Sequence, residues 1–124
     1  LVGQIETEKV TLVAGVPTVW MGMLELLERE KHDLASLRFI LTGGSAAPRA
    51  LIEVYDRLDV TVVDAYGMTE TTPLATISSL RSDMDDRPPD RRYQERARQG
   101  WVVPGLEMRV VEISKASVGK FRKK

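Results

Sequence analysis

Between residues 10 and 66, three short runs of aliphatic and β-branched residues alternate with two stretches of helical periodicity. The runs cover residues 10–14, 37–42 and 60–63. Each of the first two is followed within a few residues by a proline, Pro17 or Pro48, suited to the first turn of a helix. After Pro17, Trp20, Met23, Leu24 and Leu27 recur at i, i+3, i+4 and i+7, with Glu25, Glu28 and Arg29 opposite, so an apolar face runs to about residue 31. Around Pro48, Ala47, Leu51, Val54 and Leu58 repeat the pattern. Strand, helix, strand, helix, strand with short joins leaves few folds. Successive strands pair in parallel through right-handed crossovers, and the helices pack on the sheet. The expected class is α/β with a parallel sheet. All strand C-termini then share one edge, beyond which open α/β sheets bind their ligands.

Two unusual segments arrive at that edge. The second strand runs into Gly43, Gly44 and Ser45, closed by Ala46, Ala47 and Pro48. The third runs into residues 64–72, Asp64-Ala65-Tyr66-Gly67-Met68-Thr69-Glu70-Thr71-Thr72, whose mixture of residues predicts one tight turn. Two glycines let a backbone approach a flat ligand without Cβ atoms in the way. Tyr66 offers a π face to a base, and Thr69 a hydroxyl to a phosphate oxygen. Glu70, acceptor-only when ionised, suits Mg²⁺, which takes one or two protein carboxylates beside phosphate oxygens. Each residue singly also suits an ordinary role: a plain turn, a core-rim tyrosine, a surface carboxylate. Converging on one sheet edge, they suggest a nucleoside phosphate with magnesium.

The flanks are plainer. Residues 1–9 allow one or two helical turns, and residues 73–78 another strand. Residues 81–98 are dense in charge around Pro88 and Pro89, which predicts a mobile loop and then a solvent-facing helix from about residue 90 to 98. Val103-Pro104-Gly105 marks a turn, and residues 107–112 alternate like a half-exposed strand. Residues 113–124 carry five cations, no acid and a central glycine, the composition of a frayed basic tail or of a loop that brings one ammonium to an anion.

Composition removes several classes of function. The 18 basic and 18 acidic residues cancel, leaving no global field for nucleic acid or an anionic membrane, and the basic tail holds a single aromatic, Phe121, rather than the interleaved series of nucleic-acid binders. Without cysteine there is no thiolate catalysis or Cys-based zinc site, and the single His32 argues against a Ser-His-Asp triad or a histidine metal cluster. No apolar run reaches the roughly 18 residues of a membrane span. The start lacks an initiator Met and a signal-peptide pattern, so the chain reads as entered in mid-sequence. The expectation is a cytoplasmic domain or fragment, with peripheral membrane association and homo-oligomerisation of the parent protein left open.

Val16-Pro17-Thr18, Gly43-Gly44-Ser45-Ala46-Ala47-Pro48 and Tyr66-Gly67-Met68-Thr69-Glu70-Thr71 resemble consecutive motifs of the adenylate-forming acyl-CoA synthetases, most closely the medium- and long-chain fatty-acyl members. The resemblance runs from residue 1 to about 112; residues 114–123 resemble the loop near the family's C-terminus that carries its catalytic lysine, which would make Lys120 that lysine. It implies fatty acid, ATP and coenzyme A as substrates, with Mg²⁺ and an AMP-bearing intermediate. Carried over, Gly43, Gly44 and Ser45 border the adenine and acyl pocket, and Asp64, Ala65, Tyr66, Gly67 and Met68 line the nucleotide site with Tyr66 on adenine. Thr69 contacts phosphate, Glu70 holds Mg²⁺, Val16 and Trp20 flank the acyl group with Gly44, and Lys120 contacts the carboxylate and α-phosphate. Most apolar side chains of the Trp20 helix are expected in the core.

The family's triphosphate-wrapping loop and ribose-binding aspartate find no counterpart in these 124 residues. Residues 1–112 and 113–124 read as two segments joined discontinuously, and a contiguous chain of this length is expected to lack adenylation activity alone. A fatty-acid–AMP ligase, an amino-acid-activating domain and a non-catalytic nucleotide-binding fragment remain as alternatives.

Overall fold

A computed structural model describes residues 1–111 of the chain. A short helix α1 (Val2–Thr7) precedes β1 (Leu12–Gly15), α2 (Pro17–Arg29), β2 (Phe39–Gly43), α3 (Arg49–Asp56) and β3 (Thr61–Gly67). Next come a 3₁₀ turn (Thr69–Thr71), β4 (Leu74–Ser78), a second 3₁₀ turn (Ser82–Met84), α4 (Pro89–Arg96) and β5 (Trp101–Val102). The sheet has the order β1-β2-β3-β4-β5. β1, β2 and β3 are parallel, as the alternation demands; β4 and β5 are added antiparallel.

Because β1, β2 and β3 lie side by side in chain order, right-handed crossovers carry α2 and α3 over the same face. The core confirms it. Trp20 and Met23 of α2 and Leu51, Ile52 and Tyr55 of α3 are buried with Ile40 and Val62 of the sheet, and Val2 and Ile5 of α1 join them. Each such side chain taken from water contributes roughly 2 kcal/mol. The Tyr55 hydroxyl donates to the Trp20 carbonyl at 2.7 Å, tying α3 to α2, and burial pushes its ionisation far above the usual range, so it stays a donor. The other sheet face bears no helix among the described residues. In register across the strands it presents Leu12–Phe39–Thr61, then Ala14–Leu41–Val63, then Gly43–Ala65–Ile77–Trp101.

The structure corrects four expectations. β3 runs on through Gly67, so the residues 64–72 are not one turn: Asp64 to Gly67 are strand, and the chain turns only beyond Gly67. Leu58 is exposed, because α3 ends at Asp56 and its buried face is Leu51, Ile52 and Tyr55. α4 is not solvent-facing throughout, since Arg96 is buried and Tyr93 and Ala97 pack against the core. Residues 107–111 form no strand; the edge strand is β5, where Trp101 and Val102 pair with Ile77 and Thr76 before Pro104 and Gly105 turn the chain away. Residues 112–124, Lys120 included, lie outside the described residues.

Candidate functional site

The parallel register sets Gly43 beside Ala65, so the chain leaves β2 and β3 at the same level of the sheet edge. There an open cavity of about 370 Å³ is walled on one side by Gly44, Ser45 and Ala46 and on the other by Asp64 to Met68. Two larger hollows, about 630 and 750 Å³, open at the other edge, around the starts of β2 and β3. The two segments singled out in the sequence therefore face each other, as the topology requires.

Local backbone chemistry explains much of their composition. Gly44 sits at φ +82°, left-handed backbone that L-residues rarely adopt, and turns the chain from β2 toward α3. Gly67 lies so close to the β3–β4 connection that a Cβ there would stand 1.7 Å from the Pro73 carbonyl oxygen. Pairing also slips between Tyr66 and Gly67: Tyr66 faces Thr76 and Gly67 faces Leu74, so β4 bulges by one residue beside the site. Such bulges re-aim side chains at sheet edges. Tyr66 is 40% exposed and lines the cavity, and a tyrosine ring can stack on a planar group.

Thr71 cinches the turn after β3. Its hydroxyl accepts from the Met68 N–H at 2.8 Å and reaches the carbonyls of Met68 and Pro73 at 2.9 and 2.8 Å. Thr72 closes the turn at φ +56°, an unusual conformation for a β-branched residue and a sign of local strain. Thr69 and Glu70 are held on this turn, exposed to solvent, directly after Met68 in the cavity wall. Among the described residues there is no cluster of three or more His, Asp or Glu side chains suited to a closed metal cage. A lone exposed carboxylate matches the open, phosphate-completed coordination that Mg²⁺ takes.

Asp64 lies deeper, 3% exposed. One carboxylate oxygen accepts weakly from the Ala47 N–H at 3.4 Å, and the other, Oδ1, has no partner among the described residues. Burial pushes the Asp64 carboxyl above its usual range, countered by the N–H groups of Ala47 and Ala65. Its register partner Thr42 is as deeply buried, and its hydroxyl is also unpartnered among the described residues. A buried acceptor without a donor at a cavity wall is a costly arrangement that a ligand N–H would relieve.

Val16 is exposed, its Cγ1 3.5 Å from where a Cβ on Gly44 would lie, so it flanks the glycine at the sheet edge. Trp20 stands apart: 1% exposed, its indole fills the core against Gly15. Gln99 also lines the cavity, a residue that sequence reasoning misses; it arrives from the α4–β5 connection, where a single polar residue before a glycine carries no periodic or motif signal.

With this geometry in view, comparison with known proteins is direct. Over 112 residues the chain is 38% identical to a long-chain-fatty-acid–CoA ligase of Thermus thermophilus, covering 90% of this chain and 21% of that protein. It is 35% identical over 113 residues to a 3-methylmercaptopropionyl-CoA ligase of Ruegeria pomeroyi, again covering 90% of the chain and 21% of the relative. The chain thus spans about a fifth of the length of these relatives. Among solved structures, the anthranilate CoA ligase AuaEII in complex with anthranoyl-AMP matches with a TM-score of 0.70 and 28% identity, over 90% of this chain and 20% of that one. Residues 1–121 match the model of the AMP-binding enzyme family. The chain belongs to the AMP-binding, adenylate-forming enzymes.

Proposed function

We propose that the protein to which this chain belongs is a fatty-acyl-CoA synthetase, and that the cavity at the β2/β3 edge is the nucleotide half of its active site. The observation that carries this is the meeting of Gly44-Ser45-Ala46 with Asp64 to Met68 around one opening, with Thr69 and Glu70 on the next turn. The fatty-acyl assignment is supported by 38% identity to a long-chain-fatty-acid–CoA ligase.

In the first half-reaction a carboxylate oxygen of the acid attacks the α-phosphorus of ATP. The bond to the bridging β-phosphate oxygen breaks, leaving acyl-adenylate and pyrophosphate. In the second, the coenzyme A sulfur attacks the acyl carbonyl, its thiol proton is lost, and AMP leaves. Tyr66 would stack on adenine, with Gly43, Gly44 and Ser45 bordering base and acyl carboxylate and Val16 beside them. Thr69 would donate to a phosphate oxygen. Glu70 would hold Mg²⁺, which when bound neutralises phosphate charge. Lys120 would bring a fixed positive charge to the transferring phosphoryl group, where charge develops in the transition state. Trp20, enclosed in the core, has no part in this scheme.

The test is pyrophosphate release by the intact parent protein with Mg-ATP and a panel of acids. Release with medium- or long-chain fatty acids, and thioester formation on adding coenzyme A, is expected. Release with amino acids instead would overturn the fatty-acyl assignment, and adenylate without thioester would make the protein a fatty-acid–AMP ligase.

A further inference from the structure

The cavity wall includes Gln99, a polar residue that the adenylation scheme leaves without a part. Gln99 is fixed by two features of its surroundings. The Thr76 hydroxyl donates to its carbonyl, leaving the side-chain amide uncommitted by that bond. Gly100, at φ +77°, lies flush on β4, where a Cβ would stand 2.0 Å from the Ile77 carbonyl oxygen. The chain can therefore pass only close against β4 at this point. Thr76 is the cross-strand partner of Tyr66, and partners share a sheet face. Asp64, two residues before Tyr66, lies on that face as well. Gln99, Tyr66 and Asp64 thus bound one space, with a ring, an acceptor-only carboxylate and an amide.

Adenine needs more than Asp64 can supply. An ionised carboxylate accepts from the N6 amino group but can donate nothing to N7. A glutamine amide does both, and Gln paired with N6 and N7 is a recurrent adenine contact. We propose that Gln99 is a base-reading residue of this site, its amide donating to N7 and sharing the N6 amino group with Asp64. The inference rests on the adenylate-forming reading and adds a specificity determinant to it.

The probe is 7-deaza-ATP, in which C–H replaces N7, used in the pyrophosphate-release assay of the intact parent protein. The native protein should favour ATP about tenfold in kcat/KM. Gln99→Leu and Gln99→Glu, which both lose the N7 donor, should bring the two nucleotides within about twofold, with KM for the acid unchanged. Ser45→Ala, removing a cavity-wall hydroxyl that has no part in reading N7, should keep the preference. Equal use of the two nucleotides by the native protein overturns the proposal without recourse to any variant, as does a preference that survives both Gln99 variants or disappears with Ser45→Ala. A protein that adenylates acids while ignoring N7 leaves the functional reading standing and removes Gln99 alone; one that uses no adenine nucleotide removes both.

Discussion

His32 sits between two carboxylates, its Nδ1 2.9 Å from Glu6 and its Nε2 3.3 Å from Glu30. Glu6 also accepts the Asp33 N–H at 2.7 Å, so one carboxylate at the end of α1 clasps the loop after α2. The bond to Glu6 first, and then Glu30, raises the His32 pKa above its ordinary 6.5, against a smaller opposing effect of burial. The Asp33 N–H first, and then His32, lowers that of Glu6 below 4.5. A raised histidine contributes stability that is fully present below the unfolded value of 6.5 and is lost as pH rises through the folded value. A lowered glutamate contributes stability that is present above 4.5 and is lost as pH falls through its folded value. The clasp is therefore strongest between the two, in mildly acid solution. Thermal melts of the native chain and His32→Gln, compared at one fixed chain concentration from about pH 4 to about pH 9, should show a gap that closes as pH rises through the folded histidine pKa. A gap constant to the alkaline end would mean the ring acts by packing alone.

At the scale of elements, α4 is anchored by one side chain. Arg96 places its guanidinium against both carboxylate oxygens of Asp56 at the end of α3, one at 2.9 Å, and donates to the Val62 carbonyl at 3.3 Å, while the Ser78 hydroxyl donates to the Arg96 carbonyl. Removing one member of a buried pair costs about 3–5 kcal/mol. The Asp56 side chain is 25% exposed, so water recovers part of that loss, and Arg96→Leu should cost about 2 kcal/mol in urea unfolding. Adding Asp56→Asn should restore some of it; strict additivity would show that the pair is not coupled. This anchor illustrates what a sequence hides. Residues 81–98 average to a solvated face, and nothing in their composition marks Arg96 as the buried one, because its partner lies 40 residues earlier. The parallel core was legible because helical and strand periods alternate without ambiguity, and with it the meeting of the Gly44 and Tyr66 segments. The extent of β3 was not, since its last residues are chosen for the site rather than for a strand. Gln99 reaches the cavity only through the tertiary course of β4 and β5.

For the molecule as a whole, the decisive feature is that the helices of the described residues lie on one side. Parallel sheets are ordinarily covered on both faces. Here Leu12 and Phe39 are 55% and 46% exposed on the open one, with Leu41, Val63 and Ile77 half-buried around them. No described helix is long and apolar enough to cross a membrane. Contiguous apolar surface of this kind associates. The 124 residues produced alone should scatter light as oligomers at micromolar concentrations, and Phe39→Lys with Leu41→Lys should shift them toward monomers without disturbing the opposite, helix-covered core. Monomers in the native sequence would show that the face is tolerated bare. The consequence reaches how the stability of such a chain can be stated. Whatever covers these rows binds the folded sheet and not the unfolded chain, so mass action makes the melting temperature rise with the concentration of the covering partner. A single number for it would describe a solution rather than a molecule.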